Sequence, residues 1–236
     1  AADLLRLRDG GDLRHDDLAR AATLANYLAQ IHDRAYDGPA ELQNMLWRRR
    51  LRDLLGHGEG IMGITDNYPL PLPYVSAAEL QQLENQANAW RWRLKSHQER
   101  LCQVHGDFHP FNILFDGTGA LHVLDRSRGA WGAAADDVSC LSINYIFFSL
   151  QHGGRFAEPF SHLYHHFWNT YLTQRPDTAL LETIQPWFAW RALVLASPIW
   201  YPDIDELARR KLLTFARRLL DSDRFDWHNT LSAIWR

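Results

Sequence analysis

Apolar residues recur at helical spacing through Leu18, Ala21, Ala22, Ala25, Leu28, Ala29 and Ile31, with Asp16 and Asp17 ahead of them and Gly38-Pro39 just beyond. Such a stripe covers one helix face, and acids in the first turn complement the helix dipole, so the segment predicts a helix. A second helix is expected over residues 41 to 55, with Leu42, Met45 and Leu46 turned inward and Arg48-Arg49-Arg50 forming a solvated face rather than a binding patch. Glycines and prolines crowd residues 56 to 75, which reads as a loop. Ser76 and Glu79 then form an S-x-x-E capping box ahead of Leu80, Leu83, Ala87, Trp90 and Leu94, predicting a third helix to about Gln98.

At Leu101 the period shortens. Residues 101 to 104, 112 to 115 and 121 to 124 are short apolar runs, and Asp116-Gly117-Thr118-Gly119 between the last two is turn chemistry, so a small β-hairpin is expected there. Beyond a loop rich in Gly and Ala, helical periodicity returns from Asp136 or Asp137 through Val138, Leu141, Ile143, Tyr145, Ile146 and Phe148. Further helices are expected over residues 156 to 173, 177 to about 196 and 203 to 220, separated by Arg175-Pro176 and by the Pro198 to Pro202 segment. The pattern predicts a mainly α (α+β) chain with one small β element in its middle and no internal repeat.

With 236 residues, 46% of them apolar and ten of them Trp, the chain has ample material for a core. A formal charge of −3 argues against nucleic acid or an anionic membrane as partner and leaves small-molecule chemistry. Cys102 and Cys140 are too few for a disulfide framework or a cysteine zinc site, so they read as buried thiols in a reducing compartment. The N-terminal residues lack a signal-peptide pattern, and no run approaches the roughly 20 apolar residues of a membrane helix, so a cytoplasmic protein is expected.

Candidate chemistry concentrates at His105-Gly106-Asp107-Phe108-His109-Pro110-Phe111-Asn112 and at Leu124-Asp125. A carboxylate on a loop between short strands can take a proton from a hydroxyl or hold a metal, and an amide five residues later can offer the same metal a neutral oxygen. Asp107 and Asn112 have that spacing, and Asp125, ending the hairpin, adds a second acid. An oxygen-rich set of this kind suits a hard cation such as Mg²⁺, which binds nucleotide phosphates through few protein ligands. Gly58-Glu59-Gly60-Ile61-Met62-Gly63 matches a G-x-G-x-x-G pattern, but a helix precedes it where a phosphate loop needs a strand, so it reads as a plain loop.

The run His-Gly-Asp-x-His-Pro-x-Asn-Ile-Leu at 105 to 114, followed by Leu-Asp at 124 and 125, resembles the catalytic and metal-binding segment of the aminoglycoside phosphotransferase and choline kinase family, relatives of protein kinases. The likeness extends to Ala-Asn-Tyr-Leu-Ala-Gln-Ile-His at 25 to 32, similar to the helix after the hinge, and to Asp137 with its helix. It implies that Asp107 accepts or orients the proton of a substrate hydroxyl, that Asn112 and Asp125 hold Mg²⁺ bridging the phosphates of ATP, that His105 braces the loop, and that Asp137 ties the following helix to it. Phe111 stands where many relatives have Gly, Arg126-Ser127-Arg128-Gly129 replaces the usual aromatic and acidic residues, and Ala133 replaces a common Asp.

Members of that family carry, ahead of the hinge helix, a lobe of β-strands with a lysine that grips the phosphates. Here the helix begins near residue 16, and the lysines are Lys95 and Lys211. The expectation is therefore that residues 1–236 form a single helical C-terminal lobe of a protein-kinase-like fold, with the N-terminal β lobe missing, inactive alone. Completed by that lobe, it would be an ATP-dependent phosphotransferase acting on a hydroxyl of a small molecule. Two alternatives stand beside this reading: a non-catalytic remnant or interaction domain, and a metal-dependent hydrolase using His105, Asp107 and His109 with His122 or the His162, His165, His166 group. Trp90, Trp92, Trp131, Trp187, Trp190, Trp200 and Tyr201 could wall a cation-accepting pocket, with core packing expected for most.

Overall fold

Acidic first turns and apolar stripes translate into helices much where the pattern puts them, in a computed structural model that describes residues 1–126 and 128–229. The chain divides into two compact units, one of residues 1–36 and 100–178, the other of residues 37–99 and the segment from Ala179 onward.

In the first unit, α1 (Ala2–Arg8) precedes α2 (His15–His32), which buries Ala21, Leu24, Ala25, Leu28, Ala29 and Ile31. Helix α1 escapes the periodicity argument because only Leu4 and Leu7 anchor it, two residues in under two turns. Asp17 in the first turn of α2 is buried, accepting from the Arg14 amide at 2.8 Å and from the Arg6 guanidinium at 2.6 Å. Helix α2 packs on α6 (Ala134–Gly153) and α7 (Phe160–Gln174).

Helix α6 is buried on all sides from Ala134 to Leu150. Its polar residues survive there by returning hydrogen bonds to the helix itself: Ser142 Oγ to the Val138 carbonyl at 2.6 Å, and Asn144 Nδ2 to that of Cys140 at 2.7 Å. The predicted hairpin is present as β2 (Ile113–Phe115) antiparallel to β3 (Leu121–Val123), with Leu114 opposite His122. The Asp116 carboxylate organises its turn, accepting from the Thr118 and Ala120 amides and the Thr118 hydroxyl.

Strand β1 (Leu101–Gln103) pairs antiparallel with β4 (Trp131–Ala133), Cys102 opposite Gly132. Residues 131 to 133 fall in the stretch read as a Gly/Ala loop, whose composition carries no alternation. The strand exists because β1 supplies a partner some thirty residues away, and the other edge of β1 is covered by the chain after α2, where the Gln103 amide donates to Arg34 and the Tyr36 amide to Leu101.

The second unit assembles α3 (Ala40–Gly56), α4 (Ile61–Asp66), α5 (Ala77–Leu94), α8 (Gln185–Ala196) and α9 (Glu206–Leu220). Helix α3 is rotated relative to expectation: Leu42 and Met45 are exposed, and Trp47, Leu51, Leu54 and Leu55 face the core. Trp47 decides the rotation, having the largest area to bury and an Nε1–H that reaches the Leu94 carbonyl at 2.7 Å. The expected loop over residues 56 to 75 contains α4. The glycines at 60 and 63 serve its packing, since a methyl on Gly63 would collide with the Gly58 carbonyl and one on Gly60 would lie 2.5 Å from that of Asp53.

The Ser76–Glu79 capping box opens α5 as expected, but the helix ends at Leu94, and Gln98–Arg100 forms a separate 3₁₀ turn. The single helix expected over residues 177 to 196 is a 3₁₀ turn at Thr178–Glu182 followed by α8, because Pro186 lacks the amide that would continue a ladder through it. Buried Trp90, Tyr68 and Trp190 each donate to a backbone carbonyl, of Leu220, Leu193 and Glu59 respectively. Among the described residues no helix is long and apolar enough to cross a membrane.

Candidate active site

Strand β1 hands the chain to the loop at Val104, whose amide still donates to Ala130. Gly106 then takes φ +92°, and a methyl there would stand 3.1 Å from Arg128 Cβ, so both conformation and space call for glycine. Phe108 is fully buried, stacked on Tyr27 at 5.6 Å between ring centroids and meeting the edge of His105 at 5.5 Å. This apolar anchor leaves its neighbour Asp107 at the surface side of the loop, its side chain 17% exposed.

Asp137 supports the loop from beneath. Its two oxygens accept the His105 amide at 2.7 Å and the Gly106 amide at 2.8 Å, and His32 Nε2 lies 3.2 Å away. Tyr171 OH meets His32 Nδ1 at 2.8 Å, so the chain Tyr171–His32–Asp137 runs from α7 through α2 to the loop. Burial alone would push the Asp137 carboxyl up; the His32 contact and the two amides outweigh it and hold the group below the ordinary carboxylate range. Tyr171 carries no sequence signal beyond lying on an apolar helix face, and His32 none beyond ending the 25–32 run that resembles the helix after the hinge.

His105 braces the loop from above. Its Nε2 lies 2.9 Å from the Leu124 carbonyl, which can only accept, so Nε2 carries hydrogen and Nδ1 is left to accept the Asp107 amide at 3.2 Å. Asn112 Nδ2 donates to the Asp107 carbonyl at 3.0 Å, and the Asn112 carbonyl accepts the Leu124 amide at 2.8 Å. These bonds bring together the three polar residues that the sequence singles out: Asp107 and Asn112 on one loop, and Asp125 one residue beyond the Leu124 contact.

Asp125 is exposed and adopts φ +55°, the left-handed region that an aspartate tolerates better than most side chains. No described residue donates a hydrogen bond to its carboxylate, and the Asn112 amide uses only its nitrogen. Two oxygen donors without partners among the described residues, beside a loop that exposes a third, fit a hard divalent cation, which takes few protein ligands. Around Asp107, His109 Nε2 stands 3.7 Å and Arg128 3.9 Å from Oδ2, and the Cys140 thiol 3.9 Å from Oδ1.

Of the candidate histidines, His105 and His109 adjoin Asp107. His109 Nδ1 accepts the Phe111 amide, His122 pairs with Asp116 at 2.9 Å on the hairpin, and His165 packs against Phe156 and Tyr164. Among the described residues no three His, Cys, Asp or Glu side chains are grouped to hold a metal by themselves. Both cysteines are buried and outside any disulfide, and burial pushes the Cys102 thiol up to about 12. Of the aromatic candidates, Trp90, Trp187 and Trp190 are core residues, while Trp92 and Trp200 are exposed.

Comparison with known proteins follows the same segment. A solved structure of the amicoumacin kinase hAmiN in complex with AMP-PNP, Ca2+ and Ami is similar to 78% of this chain at 16% identity and a TM-score of 0.44. The match takes in 63% of that protein, so the chain spans under two thirds of its length. No curated protein matches the chain. The profile of the phosphotransferase enzyme family, APH, matches residues 2–179, which include the whole loop, the hairpin and the Asp137 support, and the chain therefore belongs to that family.

Proposed function

We propose that the protein is a small-molecule kinase that transfers the terminal phosphoryl group of ATP to a substrate hydroxyl, with Asp107 as the catalytic carboxylate. The observation that carries this reading is the contrast between two carboxylates, Asp125 after the hairpin and Asp137 in the first turn of α6. Asp137 is saturated with hydrogen bonds and buried, whereas Asp125 has no described donor and sits with the Asn112 amide oxygen at the surface. A remnant fold without chemistry leaves that left-handed aspartate without a purpose, and a hydrolase would need a group of three metal-ligating side chains, which is absent among the described residues.

In this mechanism Asp107 orients the acceptor hydroxyl and takes its proton as the oxygen attacks the phosphorus. His105 and Asn112 fix Asp107 by bonding its amide and carbonyl, so the carboxylate is presented without backbone freedom. Asn112 and Asp125 would hold Mg²⁺, which neutralises charge on the phosphates when bound. Arg128, near Asp107, supplies positive charge where the transferred group gathers negative charge. Turnover is expected of this helical lobe acting together with a nucleotide-gripping lobe.

Asp107→Asn in the natural full-length protein tests the assignment. Steady-state ADP release should fall by at least about a thousandfold, while the affinity for a Mg²⁺-nucleotide analogue changes by less than about threefold, because general-base and alignment effects act on the chemical step. Turnover within tenfold of the wild type would remove Asp107 from the catalytic role.

A further inference from the structure

Helices α3 and α5 line, with the start of α4, a cavity of about 750 Å³ open to solvent that phosphoryl transfer as proposed leaves without a role. Arg48 and Arg52 enter it from α3, one turn apart, and Arg91 and Lys95 enter it from the end of α5, also one turn apart. Like charges at i,i+4 oppose each other along a helix, and here two such pairs face a shared space. Neither Arg48 nor Arg52 has an ion pair with a described residue. The acid in the lining, Glu84, is taken by the Thr65 hydroxyl and pairs with none of the four cations.

Helix α5 partly compensates its own cations: Lys95 Nζ lies 2.9 Å from the Trp92 ring centroid, and Arg91 Nε donates to Asn88 Oδ1 at 3.3 Å. Even so, loss of hydration and the nearby Arg91 and Arg48 charges lower the affinity of Lys95 for its proton. The cavity's floor is apolar, formed by Leu51, Leu55 and Met62, and Met62 is 43% exposed. Asn85 and Asn88 add neutral hydrogen-bonding groups to the wall. Four cations unpaired with the acid in the lining, over an apolar floor in an open space of the size of a small organic molecule, suit an amphipathic anion.

We propose that this cavity binds an organic phosphomonoester, its apolar body against Leu51, Leu55 and Met62 and its phosphate between the α3 and α5 cations. The site lies within the second unit and does not depend on Asp107, Asn112 or Asp125. A phosphomonoester is favoured over a single carboxylate because its two negative charges answer two opposed cation pairs. Arginine presents paired donors to phosphate oxygens, and the leucines accommodate carbon that inorganic phosphate lacks.

Isothermal titration of the full-length protein with 1-naphthyl phosphate tests this, with 1-naphthol, inorganic phosphate and 1-naphthoate as comparisons. The phosphomonoester should bind one to one and at least tenfold tighter than any of the three. Arg48→Gln/Arg52→Gln, changes on an exposed helix face with folding checked by circular dichroism, should weaken it at least tenfold, and Asp125→Asn should leave it unchanged. Affinity no better than that of 1-naphthol, a loss below fivefold in the arginine variant, or a loss in Asp125→Asn would overturn the proposal. Tighter capture by phosphatidic acid vesicles than by the free phosphomonoester would also overturn it, in favour of a membrane surface.

Discussion

Replacing Asp137 by alanine removes the acceptor for two backbone amides at once, those of His105 and Gly106, together with the partner of His32 Nε2. All of these groups are buried, so water cannot stand in without opening the loop. Each buried donor left unsatisfied costs roughly 1–3 kcal/mol, and relief from burying a carboxylate offsets part of the total, so a loss of about 3–5 kcal/mol is expected. Asp137→Asn keeps the shape but turns an NH₂ toward one of the two amides, and should cost about 2–3 kcal/mol. Urea denaturation followed by circular dichroism measures both. An asparagine variant within about 0.5 kcal/mol of the wild type would refute the argument that the carboxylate holds the loop, since that is the scatter of ordinary surface substitutions.

The pH dependence of the same comparison has a definite sign. The folded-state pKa of Asp137 is depressed, so its stabilisation is fully present above the unfolded value, about 4, and is lost as the pH falls through the folded value. The gap between wild type and Asp137→Ala should therefore be constant from pH 7 to 5 and narrow below pH 4. A gap that widens on acidification would show that the carboxylate is not held in its charged form.

Two further substitutions probe the units separately. Gly106→Ala places a side chain at φ +92° and within 3.1 Å of Arg128 Cβ; about 1–3 kcal/mol of strain is expected, read as a fall in thermal midpoint together with reduced turnover, because the strained residue adjoins Asp107. Arg209 in α9 is buried and donates to the carbonyls of Ala196, Tyr201, Pro202 and Ile204, pinning the proline-bounded segment between α8 and α9. Arg209→Lys, with a compact ammonium in place of the planar fork, should lose about 2–4 kcal/mol in denaturant titration; unchanged stability would mean that the segment holds itself.

What the sequence reveals and what it hides follows from how far apart the interacting residues lie. The α5 capping box needs residues 76 and 79, and the loop chemistry needs residues 105 to 125, short windows in which spacing and geometry are nearly the same information. Asp137 is legible as a helix-opening acid, but its partner His32 lies 105 residues before it, and Tyr171 lies 139 residues after His32. The 25–32 run places that histidine in a helix resembling the one after the hinge, but no local pattern pairs it with Asp137. The errors in the second unit have the same origin. A stripe through Leu42, Met45 and Leu46 is as periodic as one through Trp47, Leu51, Leu54 and Leu55, and the choice between them is made by the Leu94 carbonyl that receives the Trp47 indole. That rotation also turns Arg48 and Arg52 toward the α5 cations, so exposed arginines that read as a solvated face also line one side of an open cationic groove. Local chemistry is thus encoded where residues adjoin in sequence, and the supports and pockets around it are encoded in pairings that only the fold brings together.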